Sequence, residues 1–259
     1  MLAVSNLTKR FDELTVFEGF EVTVPRGGFT ALVGPSGCGK STFFDVLTGV
    51  VAKDRGEISW RGERLENVGR DAAYMQQKDL LLPWLSLLDN ALLPARMSKR
   101  DGNARDKALY LFKRLELQGF ENYPPRKVSG GMRQRCALVR TLMFEHELVL
   151  LDEPLSALDA ITRRSLQSLL LLLQSEFQKT IVMITHDVEE ALLVADEVLL
   201  LTPFPMRIFG RFTPQSAKPR KSSNPELLAM KEYILEQLQQ EVTNHHAVLE
   251  PVDGEGWKP

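Results

Sequence analysis

Glycine, lysine and hydroxyl side chains crowd into one short stretch of this chain, Gly34, Pro35, Ser36, Gly37, Cys38, Gly39, Lys40, Ser41 and Thr42. The stretch fits the pattern G-x-x-x-x-G-K-[ST], whose chemistry is the capture of a nucleotide's phosphates. The glycines let backbone N–H groups approach phosphate oxygens, and a following helix aims its positive end at them. Lys40 would reach the β- and γ-phosphates as a point charge, and the Ser41 hydroxyl would ligate Mg²⁺. Cys38 reads as a passive filler of a variable motif position. Farther along, Leu148-Val149-Leu150-Leu151 runs directly into Asp152-Glu153. A Mg-nucleotide site needs a carboxylate at the end of a neighbouring buried strand. Asp152 would hold Mg²⁺, directly or through water, and Glu153 would face the attacking water as general base.

These groups can cooperate only if the intervening chain brings them together. Leu2, Val4, Val16, Phe20, Val22 and Val24 recur with near period-2 spacing and predict strands at the start. Gly27-Gly28 opens a new element, and Phe29–Val33 is a short apolar run that fits a buried strand. The Gly-rich loop follows at once, and residues 41–47 look helical. Strand, loop, helix is the context that the phosphate motif requires. Between about Pro83 and Glu147 the pattern becomes helical, with Leu109, Phe112, Leu115 and Leu117 near one face and Pro94, Gly119 and Pro124-Pro125 as punctuation. This reads as a helical insertion within an α/β core. The core resumes with strands at 148–151 and 180–184 and a helix at 162–177 between them, the alternation of a parallel sheet.

Composition sets the outer limits. The chain has 259 residues, 44% hydrophobic and 25% charged, ordinary for a globular protein with a substantial core. Lys plus Arg total 32 against 34 for Asp plus Glu, a net charge of -2. That balance argues against a protein held by nucleic-acid phosphates. Two cysteines, Cys38 and Cys136, suggest a reduced compartment rather than a disulfide framework. The N-terminus lacks the build of a signal peptide, and no apolar run approaches the ~20 residues that span a bilayer. From about residue 211 the composition shifts: 214–225 reads as a Pro/Ser/Lys-rich linker, with Lys218, Arg220 and Lys221 solvated. Residues 225–242 then offer Leu227, Leu228, Ile234, Leu235 and Leu238 on one face of a helix. The last fifteen or so residues read as a disordered tail, and His245-His246 alone makes no metal site.

A third motif makes the reading specific. In Val128-Ser129-Gly130-Gly131-Met132-Arg133-Gln134-Arg135, Ser129 can cap a helix that starts there, and two glycines expose N–H groups to a phosphate. With the phosphate loop and Asp152-Glu153, it makes residues 2 to 210 resemble the nucleotide-binding subunit of an ATP-binding-cassette (ABC) transporter. Ser129, Gly130, Gly131 and Met132 are similar to the family signature, commonly Leu-Ser-Gly-Gly-Gln. Val128 and Met132 depart from that form, but Gly-Gly-Met followed by Arg-Gln-Arg is frequent in bacterial importers. The resemblance implies an α/β phosphate-loop fold with a parallel-sheet core, an N-terminal antiparallel β-subdomain and an inserted helical subdomain at about 83–147. It implies an ATPase domain over 1–210, with linker, helix and tail over 211–259.

The same resemblance implies ATP and Mg²⁺ as ligands, sandwiched in a head-to-tail homodimer in which the signature of one subunit caps ATP held by the other. Gln77 matches the glutamine that touches Mg²⁺ and the water; Gln76 is adjacent, but the spacing to Pro83 favours Gln77. Ser156, Ala157, Leu158 and Asp159 resemble the loop that crosses the dimer interface, and His186 resembles the switch histidine at the γ-phosphate. Phe11 matches the aromatic that stacks on adenine, with ordinary core packing as its alternative. Leu81-Leu82-Pro83-Trp84-Leu85 with Asp89-Asn90 resembles the importer branch for nitrate, sulfonates, taurine and thiamine precursors. That branch implies separate transmembrane permease subunits, an extracytoplasmic solute-binding protein, and a place on the cytoplasmic face of the inner membrane. Trp84 would lie near the groove that receives the permease, or pack in the core. An exporter ATPase differs only in partner, a kinase or GTPase would lack the Ser-Gly-Gly motif, and a non-transport member would carry tandem cassettes or long coiled-coil insertions.

Overall fold

The structure, a computed structural model, describes residues 1–98, 102–156 and 158–249, with side chains described as far as 243. Ala157, read above as part of the interface loop, lies outside the described residues. The chain begins with strands β1 (Leu2–Phe11) and β2 (Leu14–Val24), followed by β3 (Phe29–Val33), helix α1 (Lys40–Thr48), β4 (Arg55–Trp60), β5 (Glu63–Leu65) and β6 (Ala72–Met75). Helices α2 (Leu87–Ser98), α3 (Ala104–Arg114) and α4 (Gly130–Leu142) come next. Then β7 (Leu148–Asp152), α5 (Ala160–Ser175), β8 (Thr180–Thr185), α6 (Val188–Val194), β9 (Glu197–Leu201), β10 (Ile208–Phe212) and α7 (Pro225–Leu249) complete the fold.

Two sheets result. An antiparallel four-stranded sheet has the order β2-β1-β4-β5, and a six-stranded sheet has the order β10-β9-β3-β8-β7-β6. The larger sheet is parallel from β9 to β6, with β10 antiparallel on one edge. Its central strands are buried along their whole length because both faces are covered, which explains apolar runs without alternation. Val149, Leu151, Ile181 and Met183 join a core with the helices, and Leu148, Leu150, Val182 and Ile184 join a second core with α1 and the antiparallel sheet. In that second core Phe20 and Phe43 rings lie 5.0 Å apart.

Residues 83–147 hold α2, α3 and α4 and, among the described residues, no strand. Pro94 does not punctuate this region as expected. It lies inside α2 on the buried side, where the helix gives up one ladder hydrogen bond and packing carries it through.

The end of the chain differs from its sequence reading in three respects. Lys218 and Arg220 are only partly exposed and are tied to other protein groups. Arg220 donates to Leu192 O at 2.8 Å and Ala195 O at 2.6 Å, the carbonyls that end α6, and Lys218 Nζ lies 2.6 Å from Asp196 Oδ1. Burial pushes Asp196 up, but hydrogen bonds from Lys218, the Phe29 amide and Gln174 together hold it below the usual carboxylate range. Second, α7 packs on α6 through Leu227 and Ile234 with Leu238 beside them, whereas Leu228 and Leu235 are about half exposed. One residue is a rotation of about 100° on a helix, so these two leave the buried stripe. Third, α7 runs to Leu249, into the stretch expected to be disordered.

Candidate active site

Strand register brings the chemistry-bearing loops to one edge. Val33 pairs with Thr185, Ile184 with Asp152, and Leu151 with Met75, so β3, β8, β7 and β6 end nearly level. The Gly-rich loop, Glu153, His186 and Gln77 all leave the sheet at these carboxyl ends, the usual ligand-binding edge of an open α/β sheet. A cleft of about 250 Å³ opens there, lined by Phe11, Ser36, Gly37, Gly39, Lys40, Ser41, Thr42, Gln77 and Glu153.

The loop's shape depends on Gly39, which has φ 108°; a Cβ there would meet Val16 Cγ1 at 2.6 Å. Lys40 is the first residue of α1 and is buried, yet its ammonium bonds carbonyls of its own loop, Gly34 O at 2.8 Å and Pro35 O at 2.7 Å. Cys38 is buried with Sγ 3.6 Å from Lys40 Nζ, and burial pushes its thiol up. A thiol held protonated is a filler rather than a nucleophile. Phe11 is 44% exposed, so it is no core residue; Lys9 Nζ sits 4.8 Å from its ring centroid.

Asp152 ends β7 and is buried, and burial pushes its carboxyl up while the Ser41 hydroxyl hydrogen-bonds to it. Among the described residues its Oδ1 has no hydrogen-bond partner. A buried carboxylate oxygen without a donor, beside a hydroxyl and at a phosphate loop, matches the hard-oxygen donors that Mg²⁺ takes. The residues fit the ion.

Glu153 stands in a left-handed conformation, φ 49°, which costs a non-glycine residue about 1–3 kcal/mol. Hydrogen bonds fix it from both sides: its N–H donates to Ile184 O at 2.9 Å, and its carbonyl accepts from Gln134 Nε2 at 2.8 Å and Ser156 Oγ at 3.0 Å. Its Oε1 lies 3.3 Å from His186 Nδ1, with the histidine side chain 55% exposed. Behind His186, Thr185 donates to the buried Glu190 at 3.0 Å, and Asp187 caps α6.

Other expected site residues stand apart from this cleft. Ser129 caps α4 by accepting from Met132 N at 3.2 Å; Ser129 and Gly130 are exposed, and Gly131 and Met132 half-buried, so none lines the cleft of their own chain. Ser156 is exposed, Leu158 is buried, and Asp159 caps α5 through the Ile161 and Thr162 amides. Gln77 lines the cleft and Gln76 does not.

The structure also gives a place at the site to residues for which the sequence reading assigned no role there. Leu14, Val16, Ile184 and Phe204 supply apolar lining, and no sequence pattern marks them as lining a site. Gln134 is buried in α4, and among the described residues its Oε1 lacks a partner, a defect of about 1–3 kcal/mol. A polar residue on the inward face of a helix was the signal available for it. From the same helix Arg133 Nε reaches Asp79 Oδ2 at 2.9 Å, and Arg140 donates to Asp79 O at 2.7 Å and Leu80 O at 2.8 Å.

Known proteins resemble this chain along most of its length. The family model described as "ABC transporter" matches residues 17–156. The chain is 36% identical over 244 residues to "Taurine import ATP-binding protein TauB" of Escherichia coli O157:H7, covering 91% of this chain and 96% of that protein. Identity to the protein of the same name from Escherichia coli strain K12 is 35% over 244 residues. Among solved structures it is similar to "Dimeric structure of a post-hydrolysis state of the ATP-binding cassette MJ0796 bound to ADP and Pi". That likeness has a TM-score of 0.76 and 28% identity, over 84% of this chain and 100% of that one.

Proposed function

We propose that this chain, which belongs to the ABC transporter family, is the ATP-binding subunit of an importer for a small solute of the nitrate, sulfonate, taurine or thiamine-precursor type. The single observation that carries this reading is the meeting of Lys40, the Ser41–Asp152 pair and the Glu153–His186 pair at one sheet edge. The identity to taurine-import subunits over nearly the whole chain favours import over export.

In this reading ATP is the substrate. Backbone N–H groups of residues 37–42 and the Lys40 ammonium bind its phosphates without moving far, because the loop already holds that ammonium. Phe11 supplies a flat face for adenine. Mg²⁺, when bound by Ser41 and Asp152 with Gln77 nearby, supplies neutralisation of phosphate charge. Glu153 accepts the proton of the attacking water at a carboxylate oxygen, and His186, 3.3 Å from that carboxylate, orients it and meets the γ-phosphate.

Ser129, Gly130, Gly131 and Met132 supply a capped helix N-terminus for the triphosphate bound by a second copy, and Ser156, Ala157, Leu158 and Asp159 cross to that copy. ATP binding closes the homodimer, and hydrolysis lets it part. Residues 1–210 form the ATPase domain, with the helical subdomain inserted at about 83–147, and 211–259 are an appendix to it. Movement passes to separate transmembrane permease subunits; among the described residues no helix is long and apolar enough to cross a membrane. An extracytoplasmic binding protein delivers the solute, and the chain sits on the cytoplasmic face of the inner membrane through the permease. Trp84 is 75% and Leu80 51% exposed, which favours a docking surface there.

Steady-state hydrolysis and nucleotide titration test the assignment together. Glu153→Gln should bind ATP normally and lose turnover. Wild-type turnover in that variant would overturn the assignment of the base.

A further inference from the structure

We infer that Gln134 is a positioning residue for hydrolysis: from α4 it holds the backbone at Glu153, so that a shift of α4 re-aims the Glu153 carboxylate. The inference rests on the reading of Glu153 as general base.

The geometry is specific. Gln134 Nε2 donates to the Glu153 carbonyl at 2.8 Å from a position nineteen residues earlier in the chain. A carbonyl only accepts, so the amide must present its nitrogen, and the Gln134 oxygen is left buried without a donor. A side chain kept merely to fill space there would be better apolar, since half of this amide's hydrogen-bonding capacity is wasted. What the bond secures is a backbone that does not hold itself: Glu153 is a non-glycine residue at φ 49°. Such conformations persist only where the surroundings over-determine them. Ser156 Oγ provides the second bond to the same carbonyl, 3.0 Å, from the segment that leads toward α5.

The tether makes α4 a shared lever. Its exposed N-terminus carries Ser129, and farther along Arg133 and Arg140 grip Asp79 and Leu80 in the loop after Gln77. Any displacement of α4 by a contact at Ser129 or at the 77–84 loop therefore reaches the Glu153 backbone through Gln134. Closure on a second copy and docking of a permease would both be sensed at the base, with no change in the phosphate loop.

The test compares single-turnover ATP hydrolysis, followed over hours, by full-length wild type, Gln134→Met, Glu153→Gln and the double variant, with Mg²⁺. Gln134→Met keeps the length of the side chain and removes the donor. It should lower the rate about 10- to 100-fold, as expected for a slightly misplaced catalytic group. Its KM for ATP in steady state should stay within about 2-fold of wild type. In the Glu153→Gln background it should have no further effect, because the group it positions is gone. An unchanged rate in Gln134→Met, or the same fractional loss in both backgrounds, would overturn the inference. Wild-type hydrolysis by Glu153→Gln would instead sink the reading of the base. Ser156→Ala is the second variant, exposed and outside the core. If Gln134→Met does not fold, Ser156→Ala should give a smaller loss that likewise vanishes with Glu153→Gln, and a loss that persists there contradicts the tether.

Discussion

At the scale of residues, the site is built from groups whose own partners leave them usable. Lys40 donates to two loop carbonyls, dipoles that hold its ammonium without neutralising it. Lys40→Ala should therefore weaken ATP binding about 10- to 100-fold, the worth of a hydrogen bond to a charged group, in a fluorescent-nucleotide titration. Unchanged affinity would show that the phosphates lie elsewhere. Gly39→Ala should destabilise the fold and abolish binding, because both its φ of 108° and the 2.6 Å approach to Val16 exclude a methyl group. Thermal unfolding of that variant reads the first effect directly. The phosphate loop, Asp152 and Glu153 could be singled out from residue types at fixed spacing, whereas Gln77 and His186 were named only through the family resemblance. Gln134 was reached by neither route, since its role depends on which carbonyl the fold places opposite it, and that is a tertiary fact.

At the scale of elements, strands and helices with period and punctuation were readable, and β3, α1, β7 and β8 lie where apolar runs placed them. The segment after residue 211 was misread, because proline, serine and lysine look alike in a solvated linker and in a strap pinned by side chains. Arg220 ends on the last carbonyls of α6, groups that a helix cannot satisfy internally. Arg220→Ala should lower stability by about 1–3 kcal/mol, from the loss of charged hydrogen bonds, measured by urea unfolding. A change within error would mean that water replaces the guanidinium without penalty. In the loop after β6, Trp84→Ala should leave basal hydrolysis by the isolated chain unchanged and reduce its pull-down with permease subunits, given the exposure of that ring. Trp84 in the core would instead give a large loss of Tm.

At the scale of the whole molecule, two cores flank one largely parallel sheet, and the candidate site lies at its carboxyl edge. Glu147 ties parts of this assembly together through Arg26 and Arg61. The hydrogen bond from Arg26, followed by that from Arg61, holds its carboxyl below the ordinary 4.5 against the opposing effect of burial. A depressed carboxyl stabilises the fold above its unfolded value and loses that contribution as pH falls through the folded one. Wild type should thus exceed Glu147→Gln in Tm at neutral pH and converge with it in acid; a constant gap would contradict the ion pairs. The sequence also carried the signature around Ser129, which in the single chain caps a helix and does not line the phosphate-loop cleft. On the proposed function its chemistry is completed by a second copy. The most direct test is the mass of the Glu153→Gln protein by light scattering, with and without ATP. A doubling with ATP that Ser129→Arg abolishes is expected, whereas a monomer at saturating ATP, or a dimer indifferent to Ser129→Arg, would contradict the head-to-tail homodimer.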